Sequence, residues 1–122
     1  MCNVYRITGQ LCKIHKGDRF TAYGELFDSP AGQAVGRFTA AYFALDSPFA
    51  AGPGSLELHT FVFSDGTIIG SGIASAASES EGHFAIVGGT GKYLGIKGAY
   101  VATQRHTELG GDGTATFTFT FV

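Results

Sequence analysis

The sequence predicts an all-β protein, a single antiparallel barrel of about eight strands, and three observations carry that prediction. Apolar and polar residues alternate with a period of two along most of the chain, the spacing of a strand with one buried face. No segment repeats its apolar residues at helical spacing. Nineteen glycines with eleven phenylalanines, five tyrosines and no tryptophan describe short aromatic strands joined by tight turns.

Taken in order, the first strand falls near residues 3–8, followed by RFTAYGELF at 19–27. A turn over Asp28-Ser-Pro-Ala-Gly32 leads to RFTAAYFAL at 37–45, and Gly52-Pro-Gly54 leads to SLELHTFVF at 55–63. Asp65-Gly66 is the strongest hairpin signal in the chain, placed between that strand and TIIGSGIASA at 67–76. Further strands are expected over 83–88 and 98–106, and Gly110-Gly-Asp-Gly113 introduces the last one, TATFTFTFV at 114–122. A closed barrel of this size holds side chains or one small ligand and leaves no sheet edge exposed. A β-sandwich is the other architecture that alternation allows.

The 122 residues make one domain, 1–122, large enough to bury a core without metal or disulfides. No apolar run approaches the eighteen or so residues that cross a bilayer, so no membrane partner is expected. The N-terminal stretch carries Arg6, Lys13 and Lys16 without an uninterrupted apolar segment, which does not read as a secretory signal and makes a cytoplasmic location the expectation. Cys2 and Cys12 then read as free thiols. A net charge of −2 with scattered basic residues gives no stripe to neutralise phosphates, so nucleic acid is not an expected partner.

The glycine-rich run FAIVGGTGKYLGIKGAY at 84–100 invites a phosphate-binding reading, and spacing excludes it. A P-loop needs a glycine five residues before the Gly-Lys pair and a Ser or Thr after it, but Ile86 precedes Gly91-Lys92 and Tyr93 follows. Gly89, Gly91 and Gly95 are spaced GxGxxxG, which is not the dinucleotide fingerprint. The glycines instead read as a backbone corner that ends one strand at 88 and launches the next.

The same run resembles the dirigent pattern of Ile-Val-Gly-Gly-Thr-Gly followed by an aromatic residue and a Gly-aromatic pair. Phe61-Val-Phe-Ser-Asp-Gly66 and Gly95-Ile-Lys-Gly98 are similar to segments of allene oxide cyclases. RFTAYGELFDSPAGQAVG at 19–36, FSDGTIIGSG at 63–72 and GKYLGIKG at 91–98 resemble bacterial spirotetronate cyclases, in that family's order. The resemblance to this allene oxide cyclase and dirigent-like family covers most of the chain. It implies an eight-stranded antiparallel barrel, an assembly of two or three copies, and cyclases that work without cofactor on hydrophobic intermediates in the lumen.

Matched to the family's lining positions, Phe20, Ala22, Leu26, Tyr42, Glu57, His59, Phe61, Phe84, Ile86, Tyr100, Ala102, Gln104 and His106 face inward, with Arg6 and Thr8 on the first strand. Glu57 and His59 are two apart and share a strand face, where a carboxyl and an imidazole can form an acid–base pair. They are the expected catalytic residues, with Arg6 as a cationic donor to a developing oxyanion and Tyr42 orienting the same group. Phe20, Phe61, Phe84, Tyr100, Ala102, Gln104 and His106 are the expected substrate-binding residues. Adding His106 to Glu57 and His59 could complete an open metal shell, but HTFVFSDG lacks the second histidine and the carboxylate of the double-stranded β-helix metal pattern. Neither metal nor cofactor is expected.

The chain also departs from the family. Arg6 and Thr8 stand where allene oxide cyclases carry a glutamate and an asparagine, Tyr42 stands at their cysteine, and Ala102 stands where the spirotetronate cyclases have a tryptophan. Dirigent proteins are secreted, which this N-terminus does not support. The expected activity is therefore a cofactor-independent cyclase or isomerase acting on a small hydrophobic natural-product intermediate. The alternative is a non-catalytic barrel that binds and orients a hydrophobic ligand or radical. In TATFTFTFV the threonines share one face and Phe117, Phe119 and Phe121 the other; with the threonines inward, the exposed aromatic stripe calls for a partner subunit, and a homo-oligomer is expected.

Overall fold

The computed structural model describes residues 2–6, 19–29, 31–45, 54–75, 79–105 and 114–122, all strand or turn. The strands are β1 (Cys2–Arg6), β2 (Arg19–Phe27), β3 (Ala34–Leu45), β4 (Gly54–Phe63), β5 (Gly66–Ser75), β6 (Glu79–Gly91), β7 (Gly98–Arg105) and β8 (Thr114–Phe121). Each pairs antiparallel with its chain neighbours, and β1 pairs with β8. The continuous body is a curled antiparallel sheet of seven long strands, β2 to β8, rather than eight equivalent ones. The short β1 closes it, with five register pairs on β8 but only Val4↔Phe27 and Tyr5↔Leu26 on β2. Five residues are too few to seam both edges over their full length. No helix among the described residues is long and apolar enough to cross a membrane.

Alternation fills the interior from one face of every long strand. Leu26, Phe38, Phe61, Phe84, Tyr100, Ala102 and Phe117 are buried, while their chain neighbours such as Glu25, Arg37, Val62 and Ala85 are exposed. Phe61 is the hub of the aromatic packing, with ring centroids at 5.3 Å from Phe38, 4.9 Å from Phe117, 5.1 Å from Phe119 and 5.3 Å from Tyr100. These are the separations at which edge-to-face and offset pairs are favourable.

Two local expectations are corrected. The Asp65-Gly66 hairpin forms, but Phe63 pairs with Gly66, so the two connecting residues are Ser64 and Asp65. The glycine run does not end a strand at 88: β6 continues through Gly88, Gly89 and Thr90 to Gly91, paired with Gly66–Ile69. The register slips between Ile69 and Gly70, leaving Val87 as an extra residue that points outward. The corner lies further on, at residues 92–97. Gly91 opens it with φ of 60°, a conformation that favours glycine, and Lys92 N–H donates to the Asp65 carbonyl at 2.9 Å. Lys92 is exposed beside Asp65 at 3.4 Å, and Tyr93 packs on Phe63 with centroids 5.5 Å apart.

The last strand reverses the expected arrangement. Phe117 and Phe119 face the interior and are buried, and Thr118 and Thr120 face out. The rings are needed inside, because they close the packing around Phe61. The exposed aromatic stripe on this strand is therefore absent.

Candidate functional site

β4 brings polar side chains into the interior, because Ser55, Glu57, His59 and Phe61 share its inward face. Glu57 is 3% exposed and His59 is 0% exposed. His59 Nε2 lies 2.7 Å from Glu57 Oε1, and His59 Nδ1 lies 2.7 Å from the Tyr100 hydroxyl on β7. The Ser55 hydroxyl donates to Glu57 Oε2 at 2.8 Å, and the Ser71 hydroxyl donates to the Glu57 backbone carbonyl at 2.8 Å. A hydrogen-bonded chain thus runs from Ser55 through Glu57 and His59 to Tyr100.

The direction of these bonds follows from the donors available. A carboxylate only accepts, so Nε2 carries the proton directed at Glu57. In the neutral ring Nδ1 is then an acceptor, and the Tyr100 O–H donates to it. Burial first, and then the negative charge of Glu57, push the Tyr100 phenol far above its ordinary value of 10.0 and hold it protonated. This has a consequence for stability. Above about pH 10 the unfolded chain releases that proton and the folded chain keeps it, so stability falls as pH rises by up to about 1.4 kcal/mol per unit. Denaturation of wild type and Tyr100→Phe between pH 9 and 11 should show a steeper loss in the wild type; parallel curves would contradict the buried phenol.

Rings surround the imidazole. Its centroid is 4.5 Å from Phe84, 5.3 Å from Phe38, 5.8 Å from Tyr100 and 6.1 Å from Phe117. Glu57 lies nearer the barrel end where β3 and β5 finish and β4 and β6 begin. There Ala74, Gly82 and Ala102 point inward and are buried, with the Phe84 ring over Gly82 and Phe117 paired with Ala102. Gln104 is also inward and 1% exposed, and its amide oxygen has no hydrogen-bond partner among the described residues. Leaving a buried acceptor unpaired costs about 1–3 kcal/mol, so this oxygen is a natural contact for a donor brought by a ligand.

Among the expected residues, Glu57, His59, Phe61, Phe84, Tyr100, Ala102 and Gln104 face the interior together. Tyr42 pairs directly opposite Glu57 and is half-buried against the core. Arg6 pairs with Thr114 on β8 and Phe20 pairs with Tyr42, but their side chains lie outside those described, as do Thr8 and His106 altogether. Sequence reasoning missed Ser55, which the period-two rule could have found two residues before Glu57. It also read Tyr100 as a lining residue, since nothing along the chain signals a bond across 41 positions. Among the described residues no group of three His, Cys, Asp or Glu side chains could hold a metal ion.

The architecture is that of the dirigent-like barrels. Pyocyanin demethylase superimposes with a TM-score of 0.75 at 21% identity, over 98% of each chain. The pterocarpan synthase dirigent protein PsPTS1 superimposes with a TM-score of 0.66 at 20% identity, over 98% of this chain and 89% of that one. At these identities the likeness is one of fold. The chain matches no known family model and no curated protein.

Proposed function

We propose that the barrel binds a small hydrophobic natural-product intermediate at the Glu57 end of its lumen and acts on it as a cofactor-independent cyclase or isomerase. The single observation that supports this reading is the buried carboxylate–imidazole–phenol chain, which faces the same interior as the Gln104 amide. Buried ionisable groups linked in this way are typical of sites that move protons. Glu57 takes a proton from one atom of the ligand and returns it to another, so the reaction is redox-neutral and needs no co-reactant. Ser55 and His59 hold the carboxylate in place, Tyr42 and Arg6 are assigned to orient the ligand and stabilise developing negative charge, and the apolar lining supplies shape. Comparing ligand binding and turnover in wild type and Glu57→Gln tests the proposal; unchanged turnover sinks it.

A second reading is a non-catalytic barrel that orients a hydrophobic ligand or radical. The mostly aromatic surroundings of His59 favour it, since they offer shape without further titratable groups. Under that reading Glu57→Gln leaves the product distribution unchanged.

We also propose a homo-oligomer, dimer or trimer, supported now by another surface. Phe43, Leu56 and Ile73 lie in register across β3, β4 and β5 on the outer face, with Leu58 alongside, and each is 40–47% exposed. Light scattering at micromolar concentration should give a multiple of the 12.7 kDa chain mass, and Leu58→Glu should lower it. A monodisperse monomer refutes the assembly.

A further inference from the structure

The Tyr100 hydroxyl reaches His59 across a space that another residue must leave empty. That residue is Gly70 on β5, the register partner of His59. A Cβ built on Gly70 would clash with Cε1 and the hydroxyl of Tyr100 and stand 2.6 Å from its Cζ. The flanking small positions serve a different ring: a Cβ on Gly72 would meet Phe84 Cδ1 at 2.7 Å, and one on Gly82 would meet Phe84 Cε2 at 2.6 Å. Phe84 stacks on Tyr100 with centroids 5.2 Å apart and planes 17° apart. Two stacked rings are thus seated over inward-facing glycines, and the outer ring's hydroxyl is delivered to Nδ1 of the histidine beside Gly70.

We propose that Gly70 is a positioning residue, whose missing side chain seats the Tyr100 phenol so that it donates to His59 Nδ1 and keeps Nε2–H directed at Glu57. Conformational freedom is not its role. Its φ lies outside the left-handed region, and it stands next to the register slip that leaves Val87 extra on β6. An alanine is compatible with that backbone, and the three atoms nearest its Cβ all belong to Tyr100. Gly70 therefore sets the geometry of the Glu57–His59 pair without touching either a ligand or the carboxylate. The part of this inference that concerns catalysis rests on the proposed acid–base function; the part that concerns the histidine stands without it.

The test uses the whole chain with labelled histidine, and reads the His59 ring nitrogens by long-range nitrogen–proton NMR. Tyr100→Phe removes the hydroxyl with little change in ring volume and should move the Nδ1 resonance toward that of an unbonded imidazole nitrogen. Gly70→Ala should move it in the same direction. An Nδ1 resonance that shifts in Tyr100→Phe but stays at the wild-type position in Gly70→Ala overturns the proposal. Because lack of space at Gly70 also lowers the stability of Gly70→Ala, a denaturation cycle accompanies it, with Tyr100→Leu as the second change. The shorter side chain frees the seat, so Gly70→Ala should cost much less in the Tyr100→Leu background than in the wild type. Equal losses in both backgrounds, or failure of the double variant to fold when Tyr100→Leu alone folds, overturn the proposal. Neither readout requires turnover, so failure of the proposed activity leaves this result readable, and the reverse also holds.

Discussion

Glu57→Gln should abolish turnover of the lumen ligand, by about 10²–10⁴-fold, while ligand binding and the fold persist. The substitution is nearly isosteric and removes only the ability to take a proton. Its amide can still accept from the Ser55 hydroxyl or from His59 Nε2–H, the bonds that now reach Oε2 and Oε1 at 2.8 and 2.7 Å. The cost to stability is limited because both neighbours retain partners, whereas Glu57→Ala would strand His59 Nε2–H in an apolar surround. Thermal denaturation and ligand titration on the same variant separate these effects. Turnover within threefold of wild type would remove Glu57 from the chemistry; a variant that no longer folds would show that the network serves the core alone, and Glu57→Asp then reports whether a carboxylate is required.

Phe61→Ala is expected to have the largest effect on stability. Phe61 is fully buried and its ring packs on Phe38, Phe117, Phe119 and Tyr100, so truncation leaves a cavity that neighbouring strands cannot close. Losses of about 3–5 kcal/mol are typical of such sites, against roughly 5–15 kcal/mol for a whole domain. The midpoint of thermal unfolding should fall by about 10–20 °C. Val62→Ala, one residue along and on the outer face, should cost about 1 kcal/mol or less. Comparable losses at the two positions would contradict the inward parity of β4, and with it the placement of Glu57 and His59.

That parity shows how far the sequence could be read. In SLELHTFVF the hydrophobic residues Leu56, Leu58 and Val62 would by simple burial be placed inside, and Glu57 and His59 outside. The structure has the opposite, and only the resemblance to lined barrels indicated it. The polar pair can sit inside because each member satisfies the other and Ser55 and Tyr100 satisfy what remains. On β8 the ordinary rule wins: Phe117 and Phe119 are inside, where their rings pack on Phe61. Strand positions were legible because alternation is local. The path of the glycine run was not, since the continuation of β6 through Gly88 and Gly89 depends on pairing with Gly66–Ile69 about twenty residues earlier. Nor was the seat of Tyr100 at Gly70, which depends on three strands meeting.

The central claim is that Glu57, His59 and Tyr100 form one oriented chain in the interior. It is tested most directly by the ring-nitrogen spectrum of His59 in the wild-type protein near neutral pH. The expected spectrum has a protonated Nε2 whose proton exchanges slowly with water and is shifted by a short bond to a carboxylate, with Nδ1 unprotonated and accepting from a phenol. A proton on Nδ1 of a neutral ring, or a His59 ring whose protons exchange as fast as those of a solvent-exposed histidine, would contradict it.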